Sequence, residues 1–235
     1  FTPQDLSPRS PDPDFPDELS GSIIIESKAH HPDQQEAFEQ PDPRLTGPIT
    51  YQVHGRYILS QVKSGLMMVD QVAAHQRIIY EKYLVHLSKN KGSSQKLLFP
   101  ITVDLNPSDY SLVMDIRAEI NSLGFEVDLF GKNSLVIHGI PSGLPEINEK
   151  EVFEGLIEQF KHNQEKLNLK THENLAMSMA RYTAIREGKV LNGDERKSLI
   201  DQLFGCKNPN YSPFGEATFY IFTLEKLRGY FNRNE

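Results

Sequence analysis

The side chains best placed for chemistry lie in one run, Asp70-Gln71-Val72-Ala73-Ala74-His75-Gln76-Arg77-Ile78-Ile79-Tyr80-Glu81. Val72, Ala73, Gln76, Ile79, Tyr80, Tyr83, Leu84 and Leu87 follow helical spacing to residue 88, and Asp70 is the expected N-cap. Val72 and Gln76 are four apart and share a helix face, where neither offers a charged donor: Val72 has no lone pair and Gln76 only a neutral amide oxygen. Asp70 and Glu81 stand about 16 Å apart along a helix axis and cannot form one carboxylate pair. His75 lies beside them without partner ligands in the run.

A second candidate is Gln95-Lys96-Leu97-Leu98-Phe99-Pro100. One reading is a strand whose Leu97, Leu98 and Phe99 are simply core. The other is an extended recognition segment, with Gln95 for a polar subsite, Leu98 and Phe99 for an apolar groove, and Pro100 restricting the backbone. The remaining candidates are bland. His30-His31 sits in an acidic stretch, and His54, His86, His138, His162 and His172 share no spacing. Cys206 is the single cysteine, which excludes an intramolecular disulfide framework and any multi-cysteine zinc site and suits a reducing compartment. It follows Gly205 with no evident base, so a nucleophile role is not expected. No glycine-rich phosphate loop occurs.

The elements that must position these residues follow from the pattern of the chain. Residues 1–48 hold nine of the fifteen prolines and ten acidic against three basic side chains, which reads as an extended acidic linker, with Ile23 to Glu26 apolar enough to dock as a strand. The remainder carries 22 acids and 22 bases, so it should not bind a nucleic-acid backbone strongly alone. No apolar run approaches the ~20 residues of a membrane span. The chain begins with Phe and shows no signal peptide, and it reads as a piece of a longer protein with a further domain upstream.

Order is expected from about Ile49. Residues 49–69 read as a hairpin, with Tyr51, Val53, Tyr57 and Leu59 alternating and Leu66-Met67-Met68-Val69 buried. After the helix to residue 88, the stretch 95–170 reads as βαββα: a strand 97–103, a helix from Asn106-Pro107 to Gly124, strands near 125–129 and 135–138, and a helix around 152–160. A helix is expected over 171–187 with Gly188 as its stop, then one from Asn192, capped with Glu195, to Leu203 and Gly205. A strand, 218–222, and a short helix from Thr223 close the chain.

The 70–81 run, preceded by Gln52-Val53-His54-Gly55-Arg56-Tyr57-Ile58-Leu59, closely resembles the C-terminal domain of the MutL family of DNA mismatch-repair proteins. In nuclease-active members this stretch reads D-Q-H-A-x-x-E-x-x-x-x-E. Asp70, Gln71, Ala73 and Glu81 match it, whereas Val72 replaces the His and Gln76 the first Glu. Ala180-Arg181-Tyr182-Thr183-Ala184-Ile185-Arg186 resembles A-C-x-x-A-I-K, with Arg181 in the place of Cys. The run from Asn208 to Ala217 resembles N-P-x-x-C-P-H-G-R-P, with Ser212 for Cys, Phe214 for His and Glu216 for Arg. Val72, Gln76, Arg181, Ser212 and Phe214 are thus ligand-type positions that have all changed, and the resemblance implies an endonuclease site emptied of its donors, with no metal and no cofactor.

The resemblance covers about residues 46–235. It implies an α+β fold of two α/β subdomains: a discontinuous dimerisation subdomain (46–94 and 171–235), an inserted external regulatory subdomain (95–170), and the linker 1–45. It also implies that residues 95–100 are the segment, through Gln95, Leu98, Phe99 and Pro100, that contacts the replicative sliding clamp. Thr218-Phe219-Tyr220-Ile221-Phe222 is apolar on both faces except Thr218, so one face is expected inside and the other, assigned to Phe219 and Ile221, at a homodimer interface. The implied function is a cytoplasmic, non-catalytic assembly module that tethers upstream ATPase domains and meets a MutS-type mismatch-recognition protein, with DNA engaged by the full-length protein and no membrane involved. The competing reading is a metal-dependent nicking endonuclease with rearranged ligands Asp70, His75 and Glu81, whose manganese-dependent nicking would disappear in Asp70→Asn. A third is a transient heterodimer partner of an active subunit.

Overall fold

A computed structural model describes residues 49–144, 148–167 and 169–231. The expected linker, the docking strand at Ile23 to Glu26 and His30-His31 lie outside the described residues. The structure is α+β, with two antiparallel sheets.

The first sheet has the order β1 (Thr50–Val53), β2 (Tyr57–Val62), β3 (Gly65–Asp70), β7 (Phe219–Thr223). The expected hairpin is therefore three consecutive strands, and the β1–β2 turn uses His54 and Gly55, both at positive φ (52° and 59°), the signature of a primed hairpin turn. Strand β3 runs directly into α1 (Gln71–Lys89), where Asp70 Oδ1 accepts from the N–H groups of Val72 (2.9 Å) and Ala73 (3.1 Å). Asn90 closes that helix in the left-handed conformation at φ 49°.

The second sheet has the order β4 (Ser94–Asp104), β6 (Ser134–Pro141), β5 (Glu126–Phe130). The single helix expected over 107–123 is two, α2 (Pro107–Asp115) and α3 (Arg117–Leu123), hinged at Ile116, whose φ of −111° leaves the helical basin. The hinge lets the buried Ile116 and Ile120 reach one core while Arg117 donates to the Val127 carbonyl at 2.9 Å on β5. With α4 (Glu149–Leu167) the stretch from β4 onward follows the βαββα outline read from its periodicity except that its first helix is split in two.

Helix α5 (Thr171–Thr183) stops four residues short of Glu187. Beyond Ala184 (φ −65°, ψ 155°) the chain runs extended, because the Ile185 N–H donates to His75 Nδ1 at 2.9 Å rather than to a helical carbonyl. Gly188 (φ 87°) turns this crossover instead of capping the helix. Helix α6 (Gly193–Phe204) carries the expected capping box between Asn192 and Glu195, and Gly205 ends it at φ −79° without a left-handed turn. The last helix is α7 (Leu224–Tyr230), capped by the Thr223 hydroxyl.

Two hydrophobic cores result. One gathers Ile79, Tyr83 and Leu87 of α1 with α4, α5 and the inner faces of the second sheet. The other gathers Ile58, Met67 and Val69 of the first sheet with Ala74 of α1 and Leu199 and Leu203 of α6. Helix α1 belongs to both, so it is the rigid element on which they share a position.

Gly65 opens β3 where the Phe222 carbonyl of β7 packs against its α-carbon, and a methyl group there would collide with that backbone oxygen. Gly65→Ala should cost about 2 kcal/mol by forcing β7 away from β3. Urea unfolding midpoints of the two proteins measure this; equal midpoints would remove the close approach from the account.

Candidate functional site

The substituted positions sit on α1, on α5 and on the loop 207–217. Val72 is half-buried in the first turn of α1, and Gln76 lies one turn further, buried at 5% exposure with its Oε1 accepting no hydrogen bond. On α5 the Arg181 guanidinium stacks 4.6 Å over the Phe214 ring. Ser212 is buried and knots the loop: its Oγ accepts from the N–H groups of Phe214 (3.1 Å) and Glu216 (3.3 Å), and its own N–H donates to the Glu216 carbonyl at 2.7 Å. Contacts thus join Arg181 to Phe214 and Phe214 to Ser212, so the loop is held to α5 by a cation–π stack.

The donor chemistry does not fit a divalent cation. Zinc and manganese take imidazole nitrogen, thiolate or carboxylate. These positions offer an alkyl group, a neutral amide, a phenyl ring, a hydroxyl committed to the loop backbone, and a guanidinium whose positive charge repels another cation. Among the described residues no three His, Cys, Asp or Glu side chains gather where they could share a metal ion.

The residues proposed as rearranged ligands are separately employed. Asp70 caps α1 and its Oδ2 accepts from Arg56 Nε at 3.1 Å. Glu81, three turns along, accepts from the N–H groups of Lys207 (2.7 Å) and Asn208 (3.1 Å), anchoring the far end of the 207–217 loop. Between them the buried Arg77 donates from Nε to the Tyr211 carbonyl at 2.6 Å. His75 spends Nδ1 as the acceptor for Ile185, and burial, then Lys189 and Lys82, push its pKa down to about 4. Burial and then Glu81 push the Cys206 thiol up to about 11, so it is not a thiolate at neutral pH.

The segment 95–100 is not core. The β4–β6 register jumps from Lys96–Gly139 to Ile101–Ile137, so the four residues between bulge out of the ladder. Leu97 packs inward, but Leu98 is 93% and Phe99 83% exposed, and Gln95 and Pro100 are exposed as well. The core reading of Leu98 and Phe99 fails because the bulge reverses the alternation that would have buried one of them.

On β7, Phe219 and Ile221 stand opposite Val69 and Met67, at the parity that faces α6, where the Phe219 ring meets Phe204 at 5.1 Å and Ile221 stays 42% exposed. The outward parity is Tyr220 and Phe222, which pair with Met68 and Leu66 and continue across the sheet to Leu59 and Tyr51. Among the described residues neither hydrophobic core includes Leu59, Met68, Tyr220 or Phe222, and Tyr220 and Tyr51 are each 64% exposed. Because β7 is apolar at both parities, the sequence of that strand alone does not tell its two faces apart; the available signal was the Tyr51–Leu59 alternation in the strands it joins.

Comparison with known proteins agrees with this architecture. Residues 50–191 match the family model of the MutL C-terminal dimerisation domain. The chain is 35% identical over 193 residues to a DNA mismatch repair protein MutL of Pelodictyon phaeoclathratiforme, covering 82% of this chain and 31% of the relative. It is 33% identical over 216 residues to the protein of that name from Prosthecochloris aestuarii, covering 92% and 34%. A third relative so named, from Flavobacterium psychrophilum, is 33% identical over 190 residues, covering 81% and 31%. The chain therefore spans about a third of the length of the curated relatives it matches.

The depressed His75 pKa has a thermodynamic consequence. The folded protein holds this imidazole neutral down to about pH 4, while the unfolded chain takes up its proton near pH 6.5. The stabilisation is complete above pH 6.5 and is lost as pH falls toward 4, on the order of 3 kcal/mol. In His75→Gln, denaturant unfolding should lose this fall between pH 6.5 and 4; a slope matching the unsubstituted protein's would exclude His75 as its source.

Proposed function

The chain belongs to the MutL C-terminal dimerisation-domain family, and on that footing we propose that it is the pairing module of a DNA mismatch-repair protein, without strand-cutting chemistry of its own. The observation that carries the assembly half is the open apolar face of the first sheet, from Tyr51 and Leu59 through Met68 to Tyr220. Half-exposed apolar side chains in a contiguous sheet face are what a self-complementary interface between two copies requires. In this reading the interface is carried by the Tyr220 parity together with Ile221, which is 42% exposed, while Phe219 packs on Phe204 of α6.

The lack of cutting chemistry is supported by the donor set at Val72, Gln76, Arg181, Ser212 and Phe214, and by the structural employment of Asp70, His75 and Glu81. In the proposed arrangement the linker ties each pairing module to an upstream ATPase, so pairing raises the effective concentration of those ATPases for one another. The division into a dimerisation subdomain (46–94 and 171–235) and an inserted subdomain (95–170) belongs to the same proposal. So do DNA engagement by the full-length protein, a MutS-type partner and a cytoplasmic site of action. No helix among the described residues is long and apolar enough to cross a membrane.

The bulge 97–100 supports the clamp contact. Two large apolar side chains are held in water by a strand on either side, so the ordering entropy of the segment is already met before a partner arrives. Gln95 and Pro100 flank them in the order the resemblance requires.

Sedimentation of the purified chain at tens of micromolar should give a dimer, and Met68→Glu with Tyr220→Glu should give a folded monomer. A monomer from the unsubstituted chain would overturn self-pairing and favour a heterodimer role. For the clamp, Gln95→Ala with Leu98→Ala should lower affinity about tenfold or more without changing the unfolding midpoint, since both side chains are exposed. Unchanged clamp affinity in that folded variant sinks the assignment.

A further inference from the structure

We propose that Gln71 and Gln52 are positioning residues that strap the 184–191 crossover, and so fix the angle between the sheet that pairs two copies and the lobe that carries the 97–100 bulge. The crossover joins α5, which belongs to one hydrophobic core, to α6, which belongs to the other. Its middle has no apolar anchorage: residues 186–190 are all exposed, and Val190 is 79% exposed. Its outer side borders an open cleft of about 1160 Å³, lined in part by Ile185, Lys189, Leu191 and Leu199. Among the described residues it is held on the other side by polar ties and by the close approach of Gly55 to Gly188.

Those ties converge on two amides. Gln71 Nε2 donates to the Lys189 carbonyl at 3.1 Å and, in a short bond, to the Gly55 carbonyl. Gln52 Nε2 donates to Gln71 Oε1 at 2.6 Å and to the Lys189 carbonyl at 2.8 Å, while Gln52 Oε1 accepts from the Leu191 N–H at 2.9 Å. The Gly188 N–H adds a bond to the Gly55 carbonyl at 3.1 Å, and Arg56 bridges Asp70 and Glu187, both at 3.1 Å. Gln71 is fully buried with both amide hydrogens and its oxygen engaged, so water cannot replace it without lifting the strap.

Lifting the strap breaks neither core, because the anchoring side chains at its ends, Ile185 and Leu191, pack separately from its middle. What it releases is the crossover, one of the connections that keep α5 and α6 in register beside α1. This gives the Asp70-Gln71 pair a role that needs no metal: Asp70 caps α1 and Gln71 fastens the crossover to its first turn. The functional weight of the angle rests on the pairing and clamp readings above, whereas the strap itself is measured independently of them.

The test uses the full-length protein with Cys206→Ser and spin labels at Lys132→Cys, on the second-sheet hairpin, and Lys226→Cys, on α7, diluted with unlabelled protein. The unsubstituted strap should give one narrow distance distribution and slow tryptic cleavage after Arg186 and Lys189. Gln71→Leu and, separately, Gln52→Ala should speed that cleavage about tenfold and broaden the distribution, with circular dichroism unchanged. Val113→Ala, which lowers stability from within the core, should leave both readouts alone. Should Gln71→Leu not fold, Gln52→Ala decides the question by itself. Unchanged cleavage would show that the glutamines do not hold the crossover, and faster cleavage with an equally narrow distribution would show that the strap does not set the angle. Sedimentation of the same variants reports separately on pairing.

Discussion

The structure depends on how the first turn of α1 is fixed. Strand β3 ends and α1 begins without a loop, so whatever orients that junction orients both cores at once. Asp70 satisfies two of the helix's free N–H groups, and Gln71 is driven into the interior, where an amide is tolerated only if each of its polar atoms finds a partner. Its partners come from the β1–β2 turn and from the 184–191 crossover, segments more than a hundred residues apart in the chain. A single buried amide thereby ties the start of the fold to its last third.

The same helix carries Val72 and Gln76. A metal site needs convergent lone pairs, and the α1–α5 face instead presents an amide, a hydrocarbon and a guanidinium stacked on phenyl. The stack holds the 207–217 loop against α5, and Glu81 and Arg77 hold the loop from α1. The matching motif residues are thus the architectural ones, and the departing residues are the donors.

Much of the fold was legible because it rests on local physics. The Asp70 cap, the Asn192–Glu195 capping box, the Asn106-Pro107 start and the βαββα order of the insert each follow from neighbours within four residues or from hydrophobic period. Three features were not legible. The hinge at Ile116 answers to a carbonyl on β5, the early end of α5 answers to His75, and the bulge at 97–100 answers to the pairing of β4 with β6. Each is a hydrogen bond to a distant segment outbidding a local preference.

By itself the sequence determined the family and the residue types at Val72, Gln76, Arg181, Ser212 and Phe214, since both are properties of residue type at a fixed spacing and need no coordinates. It also determined most of the order of helices and strands, though not the split at Ile116 or the early end of α5. The tertiary structure alone decided which parity of β7 faces outward, because Phe219 and Tyr220 are equally apolar and only register against Val69 and Met68 distinguishes them. It alone decided that Leu98 and Phe99 stand in water, that Arg181 lies on Phe214, and that Gln71 points inward. Those outcomes are set by pairing and contact between residues far apart in the chain, which spacing along one segment cannot encode.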